Sequence, residues 1–446
     1  MNALRTLVLL ILLAPVVAVS ATAADVRQPV LTGIDVLARD DFASLQGRRV
    51  GLITNHTGLD RRGRTTIRLL HEAPEVELVA LFSPEHGLHG RLDIASIADS
   101  EDADTGIRVY SLYGETRRPQ AAMLEGVDTL VFDIQDIGTR FYTYISTLGL
   151  AMEAAAEQGL RFVVLDRPNP IGGAHVSGPV ADSGRESFTA FHRLPVRYGM
   201  TVGELARMFR AERVPDLDLE VVALENWRRE DHFDAAGLLW VHPSPNMRSL
   251  TQALLYPGIG LLETTNLSVG RGTDTPFEVF GAPWLDGVEF ALTLNGLDLP
   301  GVAFVPIAFT PDASKFASER CGGVNVIVTD RARFEPVRTG VEIALALQRR
   351  YRGTWEIDAY DRLLVSAATL DAIRDGQPFA TIQARWQQDL DDFRHRRAAF
   401  LLYECRFNPP HKNHRNGPSA RGFRGRRGRS TRGTSALRPR PRPAGP

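Results

Sequence analysis

Within the stretch LFSPEHGLHG, Leu81 to Gly90, a glutamate and two histidines follow directly on the apolar run Val76 to Phe82. Pro84 restricts the residue before it to extended backbone and Gly87 permits a sharp turn afterwards, so Glu85 is held rigidly just past the end of a buried strand. A carboxylate so placed is a candidate for function. The plainer alternative is an acid that caps a helix or braces a turn, but the neighbouring apolar runs also end in polar residues: Thr54-Asn55-His56, Asp133-Ile134-Gln135-Asp136 and Asp166-Arg167-Pro168-Asn169.

The stretch FDIQDIGTRFYTY sets Asp133, Gln135 and Asp136 past one such run, with Arg140, Tyr142 and Tyr144 entering the next helix. Neighbouring carboxylates separate their pKa values, leaving one as an acid while another stays ionised. Equally, one of them caps the helix and another pairs with Arg140. Farther on, TTNLSVGRGTDTPFE contains Asn266, Arg271 and Thr273 in a run of hydroxyls, amides and glycines. Arg271, between two glycines, is placed to clasp a carboxylate with both arms of its fork.

Other chemistries lack their signatures. His86 and His89 could be joined by Asp133 or Asp136, but the chain has no His-x-x-x-His or comparable ligand set, so we expect no metal and no cofactor. No Gly-x-Gly-x-x-Gly follows the first strand, no Walker pattern occurs, and no Gly-x-Ser-x-Gly elbow marks a serine hydrolase.

The elements that must position these residues alternate. Apolar, β-branched runs at Arg49 to Thr54, Val76 to Phe82, Ile107 to Leu112, Asp128 to Asp133 and Arg161 to Asp166 read as strands buried on both faces. Between them, Phe141, Tyr144, Ile145, Leu148 and Met152 recur at helical spacing over Phe141 to Gln158. Thr201 with Glu204 forms a capping box for a helix over Thr201 to Glu212. The pattern predicts an α/β fold, a Rossmann-like doubly wound and mostly parallel sheet whose ligand lies outside the carboxyl ends of the strands. After Trp240 the texture changes, with strands at Gly301 to Phe309 and Gly323 to Val328 and helices at Val337 to Arg350 and Thr381 to Leu402. We read 25–260 as the Rossmann-like domain and 261–405 as a smaller α+β domain.

With 446 residues, 43% hydrophobic and 24% charged, the chain can bury a sizeable core. Arg5, the apolar Leu7 to Val19 and the small-residue exit at Ala21 to Ala23 read as a secretory signal peptide, 1–24, cleaved near Ala23 or Ala24. The location expected is periplasmic or secreted, with no lipid anchor and no transmembrane span. Two cysteines, Cys321 and Cys405, exclude a disulfide framework and read as free thiols. Residues 406–446 hold eleven arginines and Lys412 with no acid, so the rest has 40 basic residues against 53 acidic ones, a net charge of −13. That tail reads as disordered and dispensable; its charge would suit anionic envelope polymers rather than nucleic acid.

Taken together, the motifs resemble a known family, the exo-β-N-acetylmuramidases of bacterial peptidoglycan turnover, formerly a domain of unknown function. The resemblance runs from about Val30 to Tyr403 and rests on nine blocks in order: GLITNHTG, LFSPEHGLHG, VYSLYGETRRP, VFDIQDIGTRFYTYIST, VLDRPNPIGG, YGMTVGELA, WVHPSPNM, LYPGIGLLETTNLSVGRGTDTPFEVFGAPW and a terminal LLY. It implies a glycoside hydrolase that removes N-acetylmuramic acid from the non-reducing end of peptidoglycan-derived muropeptides or disaccharides, in a cleft between the two domains. It makes Glu85, in Pro-Glu-His-Gly, the general acid. For stabilising or capturing the sugar cation the candidates are Asp136, ahead of Asp133 and Asp166, or the substrate's own acetamido group. Arg140 or Arg271 would hold the lactyl carboxylate. The remaining substrate-binding candidates are Asn55, His86, Gln135, Tyr142, Arg167, Asn169, Asn246, Asn266 and Thr273, with Asp166 also counted among them. Thr264 and Val269 depart from the glycine and glutamate of other members, which leaves subsite preference open. Two rivals predict different behaviour: a periplasmic muropeptide- or sugar-binding protein would not need Glu85, and an esterase would respond to chelators or serine reagents.

Overall fold

The computed structural model describes residues 28–404; the expected signal peptide, Cys405 and the basic tail lie outside the described residues. Its strands are β1 (Arg48–Thr54), β2 (Val76–Ser83), β3 (Ser100–Glu101), β4 (Arg108–Ser111), β5 (Thr129–Asp133), β6 (Arg161–Leu165), β7 (Ser177–Val180), β8 (Pro195–Arg197), β9 (Leu219–Val222), β10 (Val279–Ala282), β11 (Val302–Phe309) and β12 (Cys321–Val328). The helices are α1 (Gly33–Arg39), α2 (Thr66–His71), α3 (Tyr144–Gln158), α4 (Val202–Arg213), α5 (Leu250–Ile259), α6 (Gly287–Asn295), α7 (Pro336–Arg350), α8 (Ile357–Leu364), α9 (Ala367–Arg374) and α10 (Phe379–Ala398).

Successive residues of a strand leave by opposite faces, and here both faces are covered. Val50, Leu52, Leu81, Val131 and Val163 pack with Ile34 and Leu37 of α1 and Leu69 and Leu70 of α2. Ile53, Phe82, Phe132 and Val164 pack with Ile145 and Leu148 of α3 and Leu205 of α4. This is why the runs read as continuously apolar. The seven strands lie in the order β3-β4-β2-β1-β5-β6-β9, all parallel except the short edge strand β3. Leaving out β3, the chain order across the sheet is third, second, first, fourth, fifth, sixth, the doubly wound order of the Rossmann fold. The direction reverses between β1 and β5, so their carboxyl ends flank a natural crevice.

The smaller domain contributes an antiparallel sheet in the order β10-β12-β11. Its helix α7 meets α5 where two glycines face each other. A Cβ on Gly258 would fall 2.1 Å from the Pro336 carbonyl oxygen, and one on Gly340 2.5 Å from that of Gly258. This close approach fixes α5, which carries Tyr256 to the site described below. The apolar core runs unbroken from Phe132 and Ile145 through Leu255 to Phe280, Val324 and Val341.

The capping box of Thr201 and Glu204 forms as expected, whereas α3 starts at Tyr144 rather than Phe141. Helix α10 begins two residues before Thr381 and ends at Ala398, so Leu402 is not helical. Cys321 is a buried free thiol. No helix among the described residues is long and apolar enough to cross a membrane.

Candidate active site

Beyond the end of β2, two consecutive residues turn the chain: His86 has φ 72° and Gly87 φ 73°. The Gly87 N–H donates to the Pro84 carbonyl at 3.0 Å, and the His86 ring nitrogen Nδ1 lies 2.8 Å from the Leu92 carbonyl oxygen. A left-handed residue other than glycine is uncommon and is maintained by such surrounding contacts. The turn leaves Glu85 half-buried at the wall of a cavity of about 190 Å³.

Opposite it stands the start of α3. Thr143 occupies the N-cap position, where a threonine hydroxyl ordinarily accepts from its own helix. Here it makes no such cap and donates to Glu85 Oε2 instead. From the loop after β4, the Tyr113 phenol faces the same carboxylate. Burial, the charge of Glu85 and a hydrogen bond to it push Tyr113 up to about 12. Glu85 is therefore approached by two hydroxyls, each able to donate to a carboxylate or accept from a carboxylic acid.

The rest of the wall is aromatic and ionic. Tyr256 lies 5.1 Å from Phe141, 5.8 Å from Tyr142 and 4.7 Å from Phe277, centroid to centroid, which gives a rigid apolar floor. Arg271 donates to both oxygens of Asp93 at 2.7 and 2.6 Å, and to Glu263 Oε1 at 2.5 Å. Burial alone would lower the arginine's pKa, but Glu263 and Asp93 outweigh it and hold the guanidinium firmly charged. Asn246 donates to Asp93 at 3.0 Å and completes the cluster.

Among the residues expected from the sequence, the structure brings Glu85, His86, Tyr142, Asn246 and Arg271 together around this cavity. Gln135 and Arg167 line a separate cavity of about 90 Å³ with Thr57 and Leu239. Thr273 closes its own turn on the Gly270 carbonyl, and Asn266 ties its loop to Thr354 and Glu356. Asn55 accepts from Thr57 and donates to Tyr144, while Asn169 holds Met200 and Ile171.

Four charged candidates belong to the scaffold instead. Arg140 is fully buried and its fork donates to the carbonyls of Pro179, Leu194, Leu363 and Leu364, which corrects its assignment to the lactyl carboxylate. Asp133, also fully buried, pairs with Arg167 at 2.5 and 2.9 Å and accepts from Thr66. Asp136 accepts from Gly138 N–H and Tyr198, and burial pushes its carboxyl up to about 6. Asp166 accepts from Thr201, Gly203 N–H and Tyr403, with burial again raising it, to about 7. None of the three aspartates lines the Glu85 cavity, which corrects their role as its second carboxylate. The carboxylates that do line it besides Glu85 are Asp93 and Glu263, both paired with Arg271.

Asp93, Glu263, Tyr113 and Thr143 were not singled out from the sequence. Thr143 carried a signal, a threonine just before a helical period, but that signal predicts a cap rather than a bond to Glu85. Among the described residues, no group of three or more His, Cys, Asp or Glu side chains is arranged to hold a metal ion.

Comparison with known proteins agrees along nearly the whole described chain. Residues 50–251 match the family model described as exo-beta-N-acetylmuramidase NamZ, N-terminal, and residues 254–403 match its C-terminal counterpart. The chain is 43% identical over 381 residues to the peptidoglycan beta-N-acetylmuramidase NamZ of Bacillus subtilis (strain 168), covering 84% of this chain and 92% of that protein. Two crystal structures of DUF1343 family proteins from Bacteroides fragilis NCTC 9343 share the fold. One has a TM-score of 0.79 at 39% identity and the other 0.69 at 29%, each match covering 85% of this chain and all of that one.

Proposed function

The chain belongs to the exo-β-N-acetylmuramidase family, and from that premise we propose that Glu85 is the proton donor of its reaction. The protein is an exo-acting glycoside hydrolase of peptidoglycan, releasing N-acetylmuramic acid from non-reducing ends. The observation that supports the role of Glu85 is that no cation forms an ion pair with it among the described residues. Among the carboxylates lining the cavity it alone has no arginine partner, and two hydroxyls orient it.

In this reading the Glu85 carboxylic acid gives its proton to the glycosidic oxygen as the bond from that oxygen to C1 of the muramic ring breaks. The electron pair leaves with the aglycone hydroxyl. The electron deficiency at C1 is met by the carbonyl oxygen of the substrate's own 2-acetamido group, which closes a cyclic oxazolinium intermediate. Water then opens it while Glu85, now a carboxylate, accepts the water's proton. Substrate participation fits a cavity whose other two carboxylates are both ion-paired with Arg271, and it predicts retention of the β configuration. The aromatic floor supplies an apolar, water-excluding surface for the sugar ring.

Export to the periplasm or medium belongs to the same reading, supported by the apolar stretch Leu7 to Val19 and by a substrate that lies outside the cytoplasm. N-terminal sequencing of the protein recovered from its host tests that part. The activity is tested by incubating glycan fragments that begin with muramic acid or with glucosamine at the non-reducing end, and following products by mass spectrometry. Only the former should lose a sugar, a single muramic acid, because its removal leaves a glucosamine end.

A further inference from the structure

N-acetylmuramic acid differs from N-acetylglucosamine by a lactyl ether at C3, whose free carboxylate is the one anionic handle on the sugar. A cation with open donors is the expected counterpart. Arg271 is matched by Asp93 and Glu263, and Arg140 is enclosed by carbonyls. Arg117 is different. It is exposed on the loop after β4, and among the described residues no ion pair or hydrogen bond engages it.

Two aromatic rings hold it instead. Its guanidinium carbon lies 4.3 Å from the centroid of Phe188 and 5.4 Å from that of Tyr113, and the rings are 6.1 Å apart. Stacking on ring faces occupies none of the five N–H donors, so the edge of the fork stays available to a planar acceptor. Tyr113 also faces Glu85, and Thr189, next to Phe188 in the chain, lines the Glu85 cavity. The same tyrosine thus touches the proton donor on one side and a pre-set cation on the other. The Phe188 backbone is itself anchored, its carbonyl accepting from Ser146 of α3 at 2.6 Å.

We propose that Arg117, seated on Phe188 and Tyr113, clasps the lactyl carboxylate and is the residue that makes the site select muramic over glucosaminyl ends. The proposal rests on the muramidase reading above. Because the fork is already positioned, little side-chain freedom is lost on binding. Lysine in its place would keep the charge but lose the bidentate geometry and the stacking.

The test uses two chromogenic substrates, 4-nitrophenyl N-acetyl-β-muramide with a free lactyl carboxylate and the same compound with that carboxylate converted to a primary amide. Wild type should prefer the acid in kcat/KM by about 10- to 100-fold. Arg117→Met should erase most of that preference through a rise in KM for the acid, with much less change for the amide, and Arg117→Lys should restore only part of it. Retention of the full preference in Arg117→Met, or equal losses on both substrates in a protein with unchanged melting temperature, overturns the proposal. Failure of the wild type to cleave either compound overturns the muramidase reading beneath it.

Discussion

The Thr143 hydroxyl, at the N-cap of α3, donates to the Glu85 carboxylate and so ties the loop after β5 to the loop after β2. A helix start therefore gives up its own cap to orient the candidate proton donor. Thr143→Val keeps the shape and removes the hydroxyl. We expect kcat to fall about tenfold or more with KM little changed, because the bond acts on the orientation of Glu85 rather than on ground-state binding. A rise in KM alone in steady-state kinetics would show that Thr143 serves binding.

Arg140 and the pair of Asp133 with Arg167 are predicted to matter for the fold and not for substrate affinity. Removing one partner of a buried ion pair leaves a charge unmatched, at a cost of about 3–5 kcal/mol. Asp133→Ala should accordingly lower the denaturation midpoint strongly, since it strands Arg167, which is only 6% exposed. Whatever fraction folds should retain the wild-type KM. Equilibrium denaturation alongside kinetics on the native fraction separates the two effects.

Asp136 gives the fold a pH dependence of definite sign. Its folded value of about 6 lies above the ordinary 3.8, so the native state binds the proton more tightly than the unfolded chain. The resulting stabilisation is full below about pH 4 and is lost as pH rises through about 6, amounting to at most about 3 kcal/mol. The difference in melting temperature between wild type and Asp136→Asn should therefore shift against the wild type between pH 4 and 7. A difference that is constant across that window would show that Asp136 is ionised throughout.

Participation by the acetamido group predicts sensitivity to its nucleophilicity. A muramide bearing N-trifluoroacetyl in place of N-acetyl should be cleaved at least about tenfold more slowly, and proton NMR of the first product should show the β anomer. Initial formation of the α anomer would assign water as the direct nucleophile, with Asp93 or Glu263 activating it.

What the sequence disclosed and what it hid follow from distance along the chain. The buried strands were legible because covering both faces of the sheet forces continuous apolar runs, and Glu85 was legible because Pro84 and Gly87 flank it directly. The positions of Asp133, Asp136 and Asp166 past strand ends were also visible, but their partners are remote: Arg167 is 34 residues from Asp133, Tyr198 62 from Asp136 and Tyr403 237 from Asp166. A carboxylate beside the crevice looks the same in sequence whether it faces the cavity or a buried tyrosine. Arg271 illustrates the converse. Its glycines mark a loop that approaches a ligand cavity, yet Asp93, 178 residues away, already occupies its fork. The start of α3 was misplaced by three residues because Phe141 keeps helical spacing while packing on Tyr256 from a turn.

The most direct test of the central claim is release of free N-acetylmuramic acid from a muramyl-glucosamine disaccharide by wild type and Glu85→Gln in parallel, with calorimetric binding of the intact disaccharide to the variant. Glutamine preserves the size of the side chain and removes its transferable proton, so the account predicts release by wild type, a loss of at least about 100-fold in the variant, and binding that persists. Turnover by Glu85→Gln within a few-fold of wild type would contradict it, as would a wild-type protein that binds the disaccharide and never cleaves it.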